Sequence, residues 1–422
     1  MIFRNSSKSI TFKYIPAQSY CMKKVLVLTS TFPRWKNDST PSFVFTLSNL
    51  LAEKYRIKVL APHAFGAAKK ETLKNISIQR FRYFFSEKYQ KIAYGAGILP
   101  NVRKSFLAKM QIPLFLASQI KNANKIIEKE KINLIHAHWI VPQGLIGVML
   151  KKKNRIPLIV TIHGSDLFPL KNKFFMSIQK YVAANADIIT VNSKAAEHEI
   201  LSRFPEIKNK LRVIPMGIDT KIFKPKNVRK KFIKYKDNKI ILFVGRLNEQ
   251  KGVEYLLKAM PKVISRLKNA KLLIVGEGDY KEYLERITNE LDLNNFIEFL
   301  GSKSHGEISD YYNLAKAVVL PAVTSKIGTE AFGLVLIEAM ACGTCVIGSS
   351  SGGIKNVIND GVNGLIFREK DSNELADKII KVLEDTQLRK RLISKGLIFS
   401  RRNYNWEVIS KKFLRIYDDL LK

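Results

Sequence analysis

From Met22 onward the chain alternates short apolar runs with longer segments of helical period. Apolar runs at 24–30, 57–61, 132–136, 157–162 and 187–191 are separated by amphipathic stretches such as 43–54, 141–152 and 193–203. Short β-rich runs alternating with helices predict a parallel sheet covered on both faces. The rhythm pauses between 221 and 239, where nine Lys/Arg face one acid, Asp237, and Pro225 interrupts the pattern. It then resumes with strands predicted at 240–245, 271–275, 296–300, 317–321, 345–348 and 364–367. The fold class is therefore α/β, with two Rossmann-like domains facing each other across a cleft at the carboxyl ends of their strands. The expected division is 22–220 for the first domain, 221–239 for a basic linker and 240–399 for the second domain. A closing helix, 400–422, is expected to pack back on the first domain. Residues 1–21 precede a strand that starts just after Met22, and read as a disordered arm or a spurious extension.

Composition narrows the partners. At 422 residues, 46% hydrophobic and 26% charged, the chain is too apolar for a disordered polyelectrolyte and long enough for two or three cores. The 72 Lys+Arg against 36 Asp+Glu leave +36, which selects for something anionic: nucleic acid, an acidic lipid surface or a phosphorylated substrate. No RNP, KH or helix-turn-helix signature accompanies the charge, so no nucleic-acid partner is expected. Three cysteines (Cys21, Cys342, Cys345) make no disulfide framework, and the CxxC of the last two has no second pair for zinc. The longest apolar stretches, Ile140 to Leu150 and Ala331 to Gly348, stop short of the ~20 residues a membrane span needs. Lys8 and Lys13 lie where an export signal would be apolar.

Residues 64–131 hold fourteen Lys/Arg against four acids, interleaved with Phe81, Tyr83, Phe84, Phe85, Tyr89, Phe106 and Phe115. That mixture suits an anionic membrane surface, with the rings at headgroup depth. A cytoplasmic protein held peripherally on the inner face of the cell membrane is the corresponding expectation.

Three segments carry candidate chemistry. LFVGRLNEQKG, 242–252, places Gly245, Arg246 and Lys251 after a buried strand, where anions bind, but lacks the Ser/Thr of a Walker loop. VGEGD, 275–279, begins like a dinucleotide fingerprint, yet Lys281 stands at the third glycine position. In GTEAFGLVLIEAMACG, 328–343, Glu338 lies inside an apolar run, where a carboxylate needs hydrogen-bond donors; a vicinal diol supplies two. Glu330 lies in the loop before that helix, whose first amides, on Phe332, Gly333 and Leu334, face an anion. The plainer alternative is that Glu338 pairs with a core lysine and Glu330 is solvated.

Together, GRLNEQKG, the Glu330/Glu338 pair in EAFGLVLIE, HAHWIVPQG (136–144), VTIHGSD (160–166), VIPMGID (213–219) and GGIKNVINDGVNGLIF (352–367) resemble the retaining GT-B glycosyltransferases of family 4, the group 1 glycosyltransferases. The resemblance runs from about Met22 to Lys422 and is nearest to enzymes of surface polysaccharides and lipid-linked glycans. It implies a first domain for the acceptor and a second for a nucleotide diphosphate sugar, UDP- or GDP-linked. A hexose would pass with retention to a lipid-linked, polysaccharide or oligosaccharide acceptor. Arg246 and Lys251 would neutralise the diphosphate, Glu330 would bind donor-sugar hydroxyls, and the amides of Phe332, Gly333 and Leu334 would meet phosphate. Glu338 would hold the ribose diol and His163 would face the reacting centre. Ser42, Phe43 and Asp166 would touch the acceptor.

No cofactor and no metal are expected, since His136 and His138 have no third ligand nearby in sequence. A sugar-nucleotide epimerase or a phosphorylase on the same fold is the alternative. Three positions depart from the family pattern: Pro41 and Ser42 replace a Gly-Gly loop, Ile354, Lys355 and Asn356 follow Gly352 and Gly353 without the usual acid, and Met216 stands where Asn is common.

Overall fold

The computed structural model describes residues 22–35, 38, 40, 42–95, 97–325, 328–330 and 332–422. The expected arm at 1–21 and Pro41 lie outside the described residues. Among the described residues fourteen strands form two sheets. The first contains β1 (Lys24–Leu28), β2 (Arg56–Pro62), β3 (Lys70–Leu73), β4 (Ile76–Phe81), β5 (Leu134–His138), β6 (Leu158–Ile162), β7 (Ile188–Val191) and β8 (Leu211–Val213), in the order β3-β4-β2-β1-β5-β6-β7-β8. The second contains β9 (Lys239–Val244), β10 (Ala270–Val275), β11 (Ile297–Phe299), β12 (Ala317–Leu320), β13 (Cys345–Ser349) and β14 (Leu365–Phe367), in the order β11-β10-β9-β12-β13-β14. Every pairing is parallel except β3 on β4.

The central strands are buried on both faces, as all-parallel sheets must be: β5, β6 and β13 are buried at every residue. Their helices are one-sided. In Val253–Arg266 the buried Val253, Leu256, Leu257, Met260, Val263 and Ile264 recur at helical spacing and lie on the second core. Helix Leu334–Ala341 is buried from Leu336 to Ala341, wedged between its sheet and helix Thr386–Tyr404. Its single charge, Glu338, is therefore carried into the interior.

Two segments are held by contacts that the sequence pattern does not show. The basic stretch 221–239, expected as a linker, packs along the second domain. Its Phe223, Val228, Phe232 and Tyr235 are buried in the second core, while Lys226 and Lys231 pair with Asp310 and Lys234 with Glu298. Apolar residues at irregular spacing give no period, yet they anchor the strap. At the carboxyl end, the first helix runs unbroken to Tyr404, and the break falls at Asn405, whose side chain caps the next helix by accepting from the Glu407 N–H. That last helix, Trp406–Leu420, reaches the first sheet. Lys54 binds Asp418 at 2.7 Å, the Tyr55 hydroxyl donates to Asp418, and the Tyr417 hydroxyl lies 2.8 Å from His136 Nδ1. The loops at the carboxyl ends of the two sheets approach each other, and a Cβ on Gly328 would lie 3.6 Å from Phe168.

Candidate active site

One side of the site is built on the loop after β9. Asn248 caps the turn Glu249–Lys251 by accepting from the Lys251 N–H at 3.2 Å, and Gly252, at φ +62°, turns the chain into the helix behind. The loop after β10 lies directly against it. Side chains at Gly276 or Gly278 would strike the carbonyls of Gly245 and Leu247, at 1.8 and 2.0 Å. These glycines thus serve close approach of two loop backbones, which explains a fingerprint-like VGEGD without a dinucleotide. Arg246 stands exposed at the rim, and Lys251 is half-buried below it.

Lys251 Nζ meets Glu330 Oε2 at 2.5 Å, and Glu330 Oε1 accepts from the Phe332 and Gly333 N–H groups at 3.3 and 3.1 Å. Burial pushes this carboxyl upward, but the Lys251 charge and the two amides outweigh it and hold it below the ordinary carboxylate range. Glu330 is not solvated. It occupies two of the helix-terminal amides expected for phosphate, so in this state an internal carboxylate satisfies the groups that hold an anion. The Glu330 carbonyl in turn accepts from the Gly353 N–H at 2.7 Å. A Cβ on Gly352, at φ +46°, would strike that carbonyl at 2.2 Å, so the later Gly-Gly seats the Glu330 loop.

Among the described residues no lysine pairs with Glu338. Its Oε2 accepts from the Tyr312 hydroxyl at 2.9 Å, with Tyr312 itself fully buried. Burial raises the carboxyl to about 7, against the opposing hydroxyl bond. With a single hydroxyl donor on one oxygen, such a carboxyl can accept further hydrogen bonds from a ligand.

On the facing side His163 follows β6. Its ring packs against Trp139, Phe43 and His138, with centroids at 4.7, 4.9 and 5.3 Å. His163 Nε2 lies 3.1 Å from His138 Nδ1. Burial lowers His163 to about 3 and His138 well below the ordinary histidine range, so both rings are neutral and one N–H is shared between them. His136 is consumed from both sides, by the Tyr417 hydroxyl and by Thr161 Oγ1 at 2.7 Å. Among the described residues no group of three His, Cys, Asp or Glu could hold a metal.

Asp166, expected at the acceptor, is held by the backbone. It is 4% exposed, and its two oxygens accept from the Ile140 N–H at 2.5 Å and the His163 N–H at 3.0 Å. Burial raises it to about 6 despite those amides. It clasps the two loops that carry Trp139 and His163. Ser42 and Phe43 begin helix Phe43–Leu51 and are partly buried, and Phe43 does border His163. Trp139, at φ +77°, and Tyr312 were missed by sequence reasoning; only the HAHW run gave a trace of the first.

Residues 225–397 match the family described as Glycosyl transferases group 1, and residues 41–222 match Glycosyltransferase Family 4. An uncharacterized glycosyltransferase of Methanocaldococcus jannaschii is 32% identical over 82% of this chain and 91% of its own length. The GDP-mannose-dependent monoacylated alpha-(1-6)-phosphatidylinositol monomannoside mannosyltransferase of Corynebacterium glutamicum is 27% identical over 69% of this chain and 78% of its own. Sucrose-phosphate synthase from Thermosynechococcus elongatus superposes with a TM-score of 0.77 at 23% identity, over 94% of this chain and 99% of that one. The two facing sheets and these matches together place the chain in the group 1 glycosyltransferases, with the GT-B fold.

Proposed function

We propose that this glycosyltransferase moves a hexose from a UDP- or GDP-sugar to a lipid-linked or polysaccharide acceptor, with retention of configuration. The observation that carries the donor reading is the Lys251–Glu330 pair seated on the Phe332 and Gly333 amides. It gathers a fixed cation, two N–H donors and a hydroxyl-binding carboxylate at one helix start, the groups a sugar diphosphate requires. Glu338, one helical turn deeper and short of donors, suits the ribose diol. Arg246, exposed at the rim, adds a second cation for the departing diphosphate.

His163 is neutral at physiological pH and can donate a hydrogen bond to a sugar hydroxyl without bringing a charge to the reacting carbon. Asp166, its neighbour in the chain, has both oxygens engaged by backbone amides and is not free as a nucleophile. That supports same-face attack, in which the acceptor hydroxyl bonds to the anomeric carbon as the bond to the diphosphate breaks. The departing phosphate oxygen takes the hydroxyl proton. Fixed cations and amides stabilise the leaving group without a metal in this reading. The named donor and lipid acceptor of the Corynebacterium relative agree with it in class.

A thermal-shift screen of UDP-, GDP- and ADP-sugars, run on the wild type and on Lys251→Ala, tests the donor reading. Stabilisation by one nucleotide series, lost in Lys251→Ala, is expected. No stabilisation by any of them would overturn it.

A further inference from the structure

The basic, aromatic segment expected to face a membrane divides cleanly in the structure. Phe81, Tyr83 and Phe115 are core, with Phe115 centred 5.1 Å from each of the other two rings. What remains outside is an apolar tip: Phe85, Tyr89, Phe106, Met110, Ile112 and Leu114 are 86%, 51%, 76%, 61%, 37% and 42% exposed. The segments that bear them are pinned together. Buried Gln111 accepts from the Lys91 N–H at 3.0 Å and donates to the Tyr89 carbonyl at 2.7 Å. Asn101 donates to the carbonyls of Ile92 and Tyr94, and Ser118 to that of Arg82. The tip is thus a fixed platform over an aromatic core.

Its charge is one-sided. Between 82 and 118 stand Arg82, Lys88, Lys91, Arg103, Lys104 and Lys109 against one acid, Glu87, which is itself shared by Lys69 and Arg82. Contiguous exposed apolar residues rimmed by cations mark an interaction surface. Three of the tip's six side chains, Met110, Ile112 and Leu114, have no ring to stack on a base, and with their apolar neighbours they favour acyl chains over nucleic acid.

We propose that this tip inserts into an anionic bilayer, with Phe85, Phe106, Met110 and Leu114 below the headgroups and Lys88, Lys91, Arg103 and Lys109 among them. One apolar contact or one cation would hold a protein only transiently; the two together give stable docking. Lys104 leads from the tip to the donor domain, binding Asp279 at 2.8 Å on the loop after β10. The membrane face therefore borders the cleft mouth. On the glycosyl-transfer reading, on which this clause rests, a lipid-linked acceptor reaches the cleft from the bilayer plane.

The test is sedimentation with vesicles of phosphatidylcholine alone and of equal parts phosphatidylcholine and phosphatidylglycerol, using the full chain, Phe106→Ser/Met110→Ser, and Lys88→Glu/Lys109→Glu. The wild type is expected to bind only the anionic vesicles, at least ten-fold more weakly at ~0.5 M than at ~0.1 M salt. Both double variants should lose at least ten-fold in partitioning while keeping the wild-type melting temperature. The serine pair separates insertion from general attraction of a +36 chain, because it leaves the charge unchanged. Undiminished binding of that pair, equal binding to neutral vesicles, no binding, or a dimer in solution that the serine pair dissociates would each overturn the proposal. None of these readouts depends on turnover, so failure here is distinct from failure of the transfer reading.

Discussion

Replacing Glu338 by glutamine should stabilise the empty protein at alkaline pH and weaken its hold on nucleotide. The amide keeps an oxygen for the Tyr312 hydroxyl but removes a charge from a site 7% exposed. The wild-type carboxyl is raised from 4.5 to about 7. The folded state therefore retains a proton that the unfolded chain has lost, and stability from this group is full below pH 4.5 and lost as pH rises through 7. At about 1.4 kcal/mol per unit, the full loss is a little over ~3 kcal/mol. Urea unfolding at pH 5 and pH 8 should show the stability of Glu338→Gln gaining on the wild type by about 2–3 kcal/mol over that interval. Titration with the preferred nucleoside diphosphate should show the opposite order. An ionised carboxylate accepting two ribose hydroxyls is lost, and each such bond contributes about 1.5–3 kcal/mol, so affinity should fall at least ten-fold. Parallel stability curves across pH would refute the buried-charge argument, and unchanged nucleotide affinity would refute the ribose role.

Glu330→Gln should leave the protein folded but reduce kcat/KM by more than ten-fold, about 1.4 kcal/mol, measured as acceptor-dependent transfer. Asp166→Asn should destabilise by about 1–3 kcal/mol in chemical unfolding, because an amide NH₂ would face a backbone N–H that now has a carboxylate acceptor. Turnover should persist in EDTA; activity lost there and restored by Mg²⁺ or Mn²⁺ would contradict leaving-group stabilisation by fixed cations and amides.

Much of the architecture was legible because parallel strands buried on both faces read as unbroken apolar runs: KVLVL, LIVTI and KIILFV announce themselves. The edge was not. β3, KETL, alternates charge with partial burial, and β8, LRV, has three residues, so neither carries a period that sequence can register. Helix 141–152 was expected whole, yet Ile140–Gly144 is an irregular turn before Leu145–Asn154. In the site, Glu338 was visible as a charge within an apolar run. Tyr312 and Tyr417, which meet Glu338 and His136 across 26 and 281 residues, were not, because tertiary contacts leave no local spacing. Glu330's capture of its own helix amides was equally hidden, since sequence places those amides without saying which anion they hold.

The most direct test of the account is the rate of nucleoside diphosphate release from the preferred donor, with and without a lipid acceptor extract, for the wild type and Lys251→Ala. The account predicts release that rises with the extract and nearly vanishes in Lys251→Ala. Release that ignores the extract, or that Lys251→Ala leaves intact, would contradict it.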